Sequence, residues 1–325
     1  MDNASTDFHS PMAELIIEFL AQKRALGFRY QTEEALLRRF DRFLAEQGHT
    51  ERNLPRHLVE LWTARREHEE PRTQNSRVSV TRLFARFMVD RGMSAYISPA
   101  GVTAPIRLDF TPYIFSRGEI RRMLASADRL PASPLSPLRP LVMPEIFRLL
   151  YACGLRVGEV LRLTVEDVDL PAGVLCIREG KFRKDRLVPI TPSMARRLHD
   201  FNEAIRPRPV GDAFFPTRQG THYDHDAVYS VFRRLLRETG IPHGGRGLGP
   251  RLHDLRHTFA VHRLEHWVRE GADLKAKLPV LAAYMGHQSL VGTQRYLRVT
   301  SYIFPDIIAG LRTVVGYAIP KETQP

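Results

Sequence analysis

Apolar side chains recur every three or four residues along the first hundred residues of the chain, which is the spacing of amphipathic helices. Most runs stop at a residue that breaks helices, such as Gly27, Gly48 or Gly92. The runs cover residues 12–20, 36–44, 58–62 and 78–88. This pattern predicts four short helices, which together form a small helical domain over residues 1–93.

The pattern changes after this domain. Residues 94–112 lack periodicity and contain three prolines, so they predict an interdomain linker. A helix begins near Ser116, and a proline-rich run at residues 131–140 predicts a surface loop. Two short β-type runs, 173–178 and 186–190, flank a polar turn and predict a hairpin. Further helical runs occupy residues 146–152, 192–201, 226–239, 255–270, 278–285 and 303–315. We therefore predict a fold that is mainly α with a small antiparallel β-sheet.

Composition excludes several classes of protein. The chain has 325 residues, 43% hydrophobic and 26% charged, which are the proportions of an ordinary globular protein. At about 100–200 residues per domain, this length fits two domains. The two cysteines, Cys153 and Cys176, are too few for a disulfide framework or a four-cysteine metal site. The N-terminus has no apolar h-region, and no run approaches the ~18 apolar residues of a membrane helix, so we expect a cytoplasmic protein without a membrane segment.

The charge is positive and unevenly distributed. The formal net charge is +12, and residues 1–100 hold 15 basic and 14 acidic side chains, so nearly all the excess lies in the rest of the chain. Only six of the basic residues are lysines. Arginine suits bidentate contacts with phosphate, which favours a nucleic-acid partner. An arginine excess that merely reflects genomic base composition explains the same numbers, and charge alone does not separate the two.

Phosphoryl transfer on a nucleic acid needs cations for the phosphate oxygens, a nucleophile, and an acid for the leaving oxygen. The chain has neither an HExxH motif nor a dense carboxylate cluster, so we expect side-chain cations to supply the charge and no metal or cofactor. His253 and Arg256 are three residues apart on a predicted helix and would face one ligand. His257 would point about 100° away, as a packing residue. Because H-x-x-R occurs four times in the chain, an ordinary surface pair is the better interpretation of the motif taken alone.

Three further segments favour a functional role for His253 and Arg256. They are GLRVGE at 154–159, GKFRKDR at 180–186 and GHQSLVGTQRY at 286–296, and HDLRH at 253–257 lies between the last two. In this order and at these separations, the four segments resemble the tyrosine recombinase (phage integrase) family, of the Xer or transposon type. The resemblance covers most of residues 113–300.

The resemblance implies roles for the matching positions around a scissile phosphate. Arg156 and Arg256 would bind the phosphate oxygens, His253 would handle a proton, and His287 would donate a hydrogen bond to the phosphate. Glu159 would orient Arg156 from behind, although a glutamate on the surface of a helix is nearly as good an interpretation.

It also implies a nucleophile and an acid. Tyr296 would attack the phosphorus and form a covalent 3′-phosphotyrosyl link, while its neighbours Tyr284 and Tyr302 suit a core role better. Lys181 would protonate the departing 5′-oxygen, with Lys184 as the competing candidate.

Partners and domain roles follow from the same resemblance. It implies double-stranded DNA, a helical SAM-like core-binding domain over residues 1–93, a linker over 94–112, and a catalytic domain over 113–325. The reaction would need no metal, cofactor or ATP. A homotetramer on DNA would form through the C-terminal helix, with or without partner recombinases, and the protein would be associated with the nucleoid. Candidate DNA-binding residues are Arg77, Arg82, Arg86, Arg183 and Lys184, although the first three also suit a solvated helix face.

Two other functions fit part of the pattern. One is a non-catalytic DNA-binding accessory protein of the same fold, against which stand six chemically competent site residues. The other is a nicking enzyme like the type IB topoisomerases, which the small helical N-terminal domain and the GLR and GH signatures disfavour. The residues leave open the target DNA and the choice among phage integration, transposon mobility, chromosome-dimer resolution and integron-type exchange.

Overall fold

The computed structural model describes residues 8–99, 101, 112–178, 185–245 and 249–287. The chain divides into two compact units, residues 1–110 and residues 111–325. Each unit has its own apolar core.

The first unit contains the four helices that the periodicity predicts. They are α1 (Ala13–Ala25), α2 (Gln31–Glu46), α3 (Arg56–Thr63) and α4 (Pro71–Val89). Their apolar stripes meet in a core around the fully buried rings of Phe19, Phe40 and Phe84. Burial of the apolar faces, these rings included, provides most of the stability of such short helices.

The predicted boundary between domain and linker is wrong at its start. Residues 94–97 belong to the first unit, because Ala95 forms a bridge with Leu54 and the Tyr96 amide donates to the Leu54 carbonyl at 2.8 Å. Ala95 and Tyr96 also pack against the core of that unit. A single bridge of this kind has no periodic signature, so the sequence pattern could not reveal it.

The second unit is mostly helical with one small sheet, which confirms the predicted fold class. Its helices are α5 (Arg117–Ala127), α6 (Arg139–Ala152), α7 (Val157–Leu161), α8 (Pro192–Ala204), α9 (His225–Glu238), α10 (Leu252–Arg269) and α11 (Leu274–Met285). Its strands are β1 (Val168–Asp169), β2 (Val174–Ile177) and β3 (Arg186–Pro189). The sheet is antiparallel in the order β1-β2-β3, with Val174 opposite Pro189 and Ile177 opposite Arg186.

Two helices and one strand differ from expectation, the strand being β1, which extends the predicted hairpin to three strands. Helix α6 begins at Arg139, inside the predicted proline-rich loop, because Pro140 occupies its first turn, where a missing N–H has no helical partner to lose. Helix α7 was not predicted, since five residues are too few to show a periodic stripe. The helix predicted over residues 303–315 lies outside the described residues.

The core of the second unit brings α6 and α10 together. Met143, Ile146, Phe147 and Leu150 of α6 are buried in the same cluster as Leu255 of α10. This packing places the first turns of α10 beside the end of α6, where the first recognised motif begins. Within the described ranges, no helix combines the length and apolar character that crossing a bilayer requires.

Candidate active site

The end of α6 is shaped by a glycine that the site depends on. Gly154 has φ +58°, a left-handed conformation that terminates the helix, and a Cβ placed there would lie 2.3 Å from Cδ1 of Phe259. Its carbonyl oxygen accepts a hydrogen bond of 2.5 Å from Nη1 of Arg256. The helix break therefore supplies a backbone acceptor to the site, in a space that only glycine fits.

Arg256 is buried at the centre of the site, with 1% of its surface exposed. Besides Gly154, its Nη2 donates to the carbonyl of Met285 at 2.5 Å and lies 3.1 Å from Nε2 of His287. A buried charge is tolerated only when it is hydrogen-bonded, and these contacts provide partners for both terminal nitrogens of the guanidinium. The arrangement holds a positive charge in a region of low dielectric, where it acts strongly on a nearby anion.

Arg156 reaches the same place from the start of α7. Its backbone N–H donates to Oε2 of Glu159 at 2.9 Å, and its Nη1 donates to Oε1 at 2.7 Å. Its Nη2 donates to the carbonyl of Gly286 at 3.3 Å. The guanidinium keeps partial exposure to solvent, with 27% of the side chain accessible, so a ligand can approach it.

Arg186 is the site residue that the sequence analysis missed. It begins β3, and its Nη1 and Nη2 donate to the two carboxylate oxygens of Glu159 at 3.0 and 2.8 Å. Its Nε donates to the carbonyl of Tyr284 at 3.0 Å. The available signal is its place as the last residue of the GKFRKDR segment, which also contains the two candidate lysines.

Glu159 is a buried carboxylate shared by two arginines. Only 4% of its surface is exposed. Burial alone would raise the pKa of Glu159, but the hydrogen bonds and charges of Arg186 and Arg156 outweigh that effect and lower the pKa to about 2. The carboxylate is therefore ionised at neutral pH and offsets part of the positive charge of the site.

The three arginines meet at the end of α11. Three consecutive carbonyls there accept from guanidinium groups: Tyr284 from Arg186, Met285 from Arg256 and Gly286 from Arg156. The last carbonyls of a helix have no helical partner and carry partial negative charge, so cations are favoured at this position. Since the Cα atoms of Met285 and Gly286 are about 3.8 Å apart, Arg156 and Arg256 converge on one small region.

Two histidines flank these guanidinium groups. His253 reaches the surface on the first turn of α10, and His287 directly follows the end of α11. Desolvation lowers the pKa of each imidazole, the charges of Arg256 and Arg156 lower it further, and both values fall to about 4. Both rings are neutral at pH 7 and can accept a proton or donate one N–H.

The neighbouring rings behave as packing residues. His257 is buried and lies edge-on to His253, with ring centroids 4.6 Å apart. Tyr284 donates from its hydroxyl to the carbonyl of Pro189 at 3.2 Å, and desolvation by burial raises its pKa far above the ordinary value. Tyr284 is therefore a poor candidate for an ionised nucleophile. Lys181, Arg183, Lys184, Tyr296 and Tyr302 lie outside the described residues.

The structure corrects one predicted DNA contact in the first unit. Arg77 is only 2% exposed, and its guanidinium donates to the carboxylate of Glu69 and to the carbonyls of Trp62 and Ala64. These contacts hold the turn between α3 and α4. Arg77 is therefore withdrawn as a DNA-binding candidate, because its side chain faces the interior.

The other two candidates on α4 differ from each other. Arg82 is half-buried and donates to the carbonyls of Ser98 and Pro99 at 2.8 and 2.5 Å, so it fastens the segment that follows α4. Arg86 is exposed.

The arrangement is suited to binding an anion with several oxygens. Arg156, Arg256 and His287 meet at the end of α11, His253 lies close enough to be affected by both guanidinium charges, and the carboxylate of Glu159 holds Arg156. Such preorganised donors favour a ligand whose negative charge increases during a reaction.

Comparison with known proteins gives consistent matches. Residues 115–302 match the model of the phage integrase family. The protein y4rB of Sinorhizobium fredii, which carries the name of an integrase/recombinase, is 32% identical over 89% of this chain and 93% of its own length. Tyrosine recombinase XerD of Listeria innocua is 29% identical over 75% of this chain and 77% of its own length. Among solved structures, the XerH site-specific recombinase bound to its palindromic difH substrate has the same fold, with a TM-score of 0.62 and 16% identity over 96% of this chain and 91% of that one.

Proposed function

The chain belongs to the phage integrase family of tyrosine-type site-specific recombinases, and from this premise we propose that it cuts and rejoins DNA through a covalent 3′-phosphotyrosyl intermediate. Tyr296 is the proposed nucleophile, on the strength of its place in the GHQSLVGTQRY segment. The observation that carries the proposal is the convergence of Arg156 and Arg256 on adjacent carbonyls at the end of α11, next to His287.

The charges of the site suit an attack by tyrosine. A phenol titrates near pH ~10, so about one in a thousand is ionised at pH 7. Positive charges beside the phosphate favour the phenolate and stabilise a pentavalent transition state, in which negative charge on the equatorial oxygens increases. Arg156 and Arg256 are proposed to contact those oxygens, and His287 to donate one further hydrogen bond.

The proposed step conserves the number of phosphoester bonds. The oxygen of Tyr296 forms a bond to phosphorus while the bond from phosphorus to the 5′-oxygen breaks. His253 is proposed to take the phenol proton, on the strength of its place in the HDLRH segment, and Lys181 is proposed to give a proton to the departing oxygen. Because the phosphotyrosyl link keeps the energy of the original bond, a 5′-hydroxyl from another strand can reverse the step without ATP.

We propose that the charge is supplied by side chains, without a metal ion. The supporting observation is that the buried guanidinium of Arg256 and the partly exposed guanidinium of Arg156 bind adjacent carbonyls at the end of α11 and so bring two positive charges together. The expected result is full activity in EDTA. Complete loss in EDTA, restored by Mg²⁺, would contradict this part of the proposal.

Contacts with the DNA backbone are proposed for both units. In the first unit, the exposed Arg86 is the remaining candidate on α4. In the second, Arg183 and Lys184 precede β3 in the chain. Such contacts position the duplex rather than specify its sequence. The place of action would be the nucleoid.

We propose a homotetramer on DNA, held together by the C-terminal helix. The supporting features are an apolar stripe in the sequence at residues 307–315 and a groove of about 340 Å³ on the second unit. Phe259, Trp267 and Leu281 are among the residues that line this groove. A chain shortened after residue 300 should bind a single site as a monomer and fail to assemble two sites, as measured by light scattering of the DNA complexes.

The test first defines the target and then traps the intermediate. Duplexes with a randomised core are incubated with the protein and denatured, and the strands that remain covalently bound are sequenced. A nicked duplex with the selected site then traps the adduct, because the short fragment that carries the 5′-hydroxyl diffuses away. Mass spectrometry of the digested adduct should identify Tyr296, linked to a 3′-phosphate.

Matched variants separate the proposal from its competitors. Tyr296→Phe should abolish the adduct, and Tyr302→Phe should retain it; the reverse result would show that the nucleophile is misassigned. DNA that is bound without any adduct would indicate an accessory protein. Relaxation of single duplexes without exchange between strands would indicate an enzyme of the topoisomerase kind.

A further inference from the structure

Arg186 differs from the other two arginines of the site in the acceptors that its guanidinium binds. All three of its nitrogens donate to protein groups: Nη1 and Nη2 to Glu159, and Nε to the carbonyl of Tyr284. Its side chain is 11% exposed, compared with 27% for Arg156. Because its nitrogens already donate to protein groups and its side chain is mostly buried, Arg186 is poorly placed to bind a phosphate itself.

The contacts of Arg186 connect Arg156 with the end of α11, two parts of the site that must keep the same relative position. Through Glu159 it fixes the carboxylate that holds Nη1 and the backbone of Arg156. Through the carbonyl of Tyr284 it fixes the end of α11, which leads directly into His287. A phosphate would compete for the donors of Arg156 and Arg256 that now bind the carbonyls of Gly286 and Met285. The contact from Arg186 does not compete with the phosphate, so it would persist.

The backbone of α11 is shaped to admit this guanidinium. Gly286 closes the helix with φ +67°, and a Cβ at that position would lie 3.0 Å from Cζ and from Nη1 of Arg186. Since 3.0 Å is shorter than an ordinary contact between carbon atoms, about 3.5–4.0 Å, a larger residue at 286 would displace the guanidinium.

We propose that Arg186 is a positioning residue for strand cleavage, which keeps Arg156 and the end of α11 aligned on the phosphate while the other two arginines bind it. This inference rests on the proposed function. Displacement of a catalytic group by about 1 Å can cost on the order of 100-fold in rate, so the expected effect of loosening Arg186 is a reduction of about 10- to 100-fold in the rate of cleavage.

The test compares three variants of the full chain on the selected nicked duplex. Arg186→Lys keeps the charge but loses the bidentate geometry, and Arg186→Gln also loses the charge. Arg197→Lys is the matched control, because Arg197 donates from Nε to both oxygens of the buried Glu145 at 2.9 Å, away from the site. The rate of adduct formation at saturating DNA and the dissociation constant for DNA are measured for each variant.

A positioning role predicts a specific separation of these two quantities. Arg186→Lys should cleave about 10- to 100-fold more slowly with a dissociation constant within about threefold of wild type, and Arg186→Gln should be slower still. Arg197→Lys should match wild type in both. Cleavage at the wild-type rate by Arg186→Lys would overturn the proposal, and so would a loss of DNA binding as large as the loss of rate.

A second measurement needs no activity. The amides of Gly286 and His287 donate to the carbonyls of Ala283 and Ala282 at 3.0 and 2.9 Å, so they should be protected from hydrogen exchange. Arg186→Lys should accelerate exchange in the peptide that covers residues 284–287, and Arg197→Lys should not. If wild type forms no adduct, the proposed function fails, and Arg186 is then judged by exchange alone. Unchanged exchange at 284–287 would overturn the proposal in either case.

Discussion

Replacing Gly154 with alanine should damage both the fold and the site, and the size of the effect follows from the geometry. Two costs act together. The conformation at φ +58° disfavours any residue with a Cβ, by about 1–2 kcal/mol. The new methyl group would also lie 2.3 Å from Cδ1 of Phe259, and overpacking of this kind costs about 1–3 kcal/mol.

A second glycine isolates the steric cost. Gly240 follows α9 as Gly154 follows α6, it has a similar φ of +69°, and no atom lies within 4 Å of a Cβ built on it. Gly240→Ala therefore carries the conformational cost without the collision. The difference between the two variants in the free energy of unfolding should be about 1–3 kcal/mol, which for a domain of this size corresponds to roughly 2–4 °C in Tm per kcal/mol.

Fluorescence can follow the relevant unit alone. The chain has two tryptophans, Trp62 in the first unit and Trp267 in the second, so a Trp62→Phe background leaves a single reporter on α10. Urea unfolding is measured in that background for both alanine variants. Gly154→Ala should also form the DNA adduct more slowly than Gly240→Ala, because the Gly154 carbonyl that holds Arg256 is displaced.

Relief of the collision provides a further check. Phe259→Leu opens space beside residue 154, so Gly154→Ala should cost less in the Phe259→Leu background than in the wild type. Equal stabilities of Gly154→Ala and Gly240→Ala, within about 0.5 kcal/mol, would refute the reasoning, since additivity holds to roughly that limit.

Three other outcomes can be measured on the same protein. Arg156→Ala should slow adduct formation by about 100- to 1000-fold, on the order of 2.7–4 kcal/mol by analogy with removing one donor to a developing anion, and a tenfold effect or less in trapping kinetics would contradict its role. The pKa of Glu159 is about 2, against an ordinary value of 4.5, so its ionised form contributes stability above about pH 4.5 that is lost as the pH falls through 2. Urea unfolding across that range should show a loss on the order of 3 kcal/mol from this group, and Glu159→Gln should lack this part of the acid sensitivity. Burial raises the pKa of Cys153 to about 11, so at pH 8 a thiol reagent followed by mass spectrometry should label the half-buried Cys176 first, and equal labelling rates in the native state would be inconsistent with the packing.

The helices of the first unit show what local pattern can determine. Their apolar stripes and terminal breakers lie within a few residues of one another, so the sequence predicts all four helices. The same local pattern failed at α7 and at the bridge between Leu54 and Ala95, which are too short to have a period. It also led to a wrong interpretation of Arg77, because a basic residue on a helix looks the same whether it faces solvent or the interior.

In the site too, the sequence determines one part and the tertiary structure decides another. The sequence is enough to recognise the motifs around Arg156, His253, Arg256 and His287. Each motif is short, the motifs follow one another in a fixed order, and the chemistry depends on the residue types that they contain. What the residues do to one another was decided by the tertiary structure. The partners of Arg256 and Arg156 lie 102 and 130 residues away, at Gly154 and Gly286. No spacing rule reaches across such separations, since they close only when α6, α10 and α11 pack. Arg186 gained its place at Glu159 in this way, and packing likewise lowered the pKa values of the two imidazoles by desolvating them and bringing positive charge close.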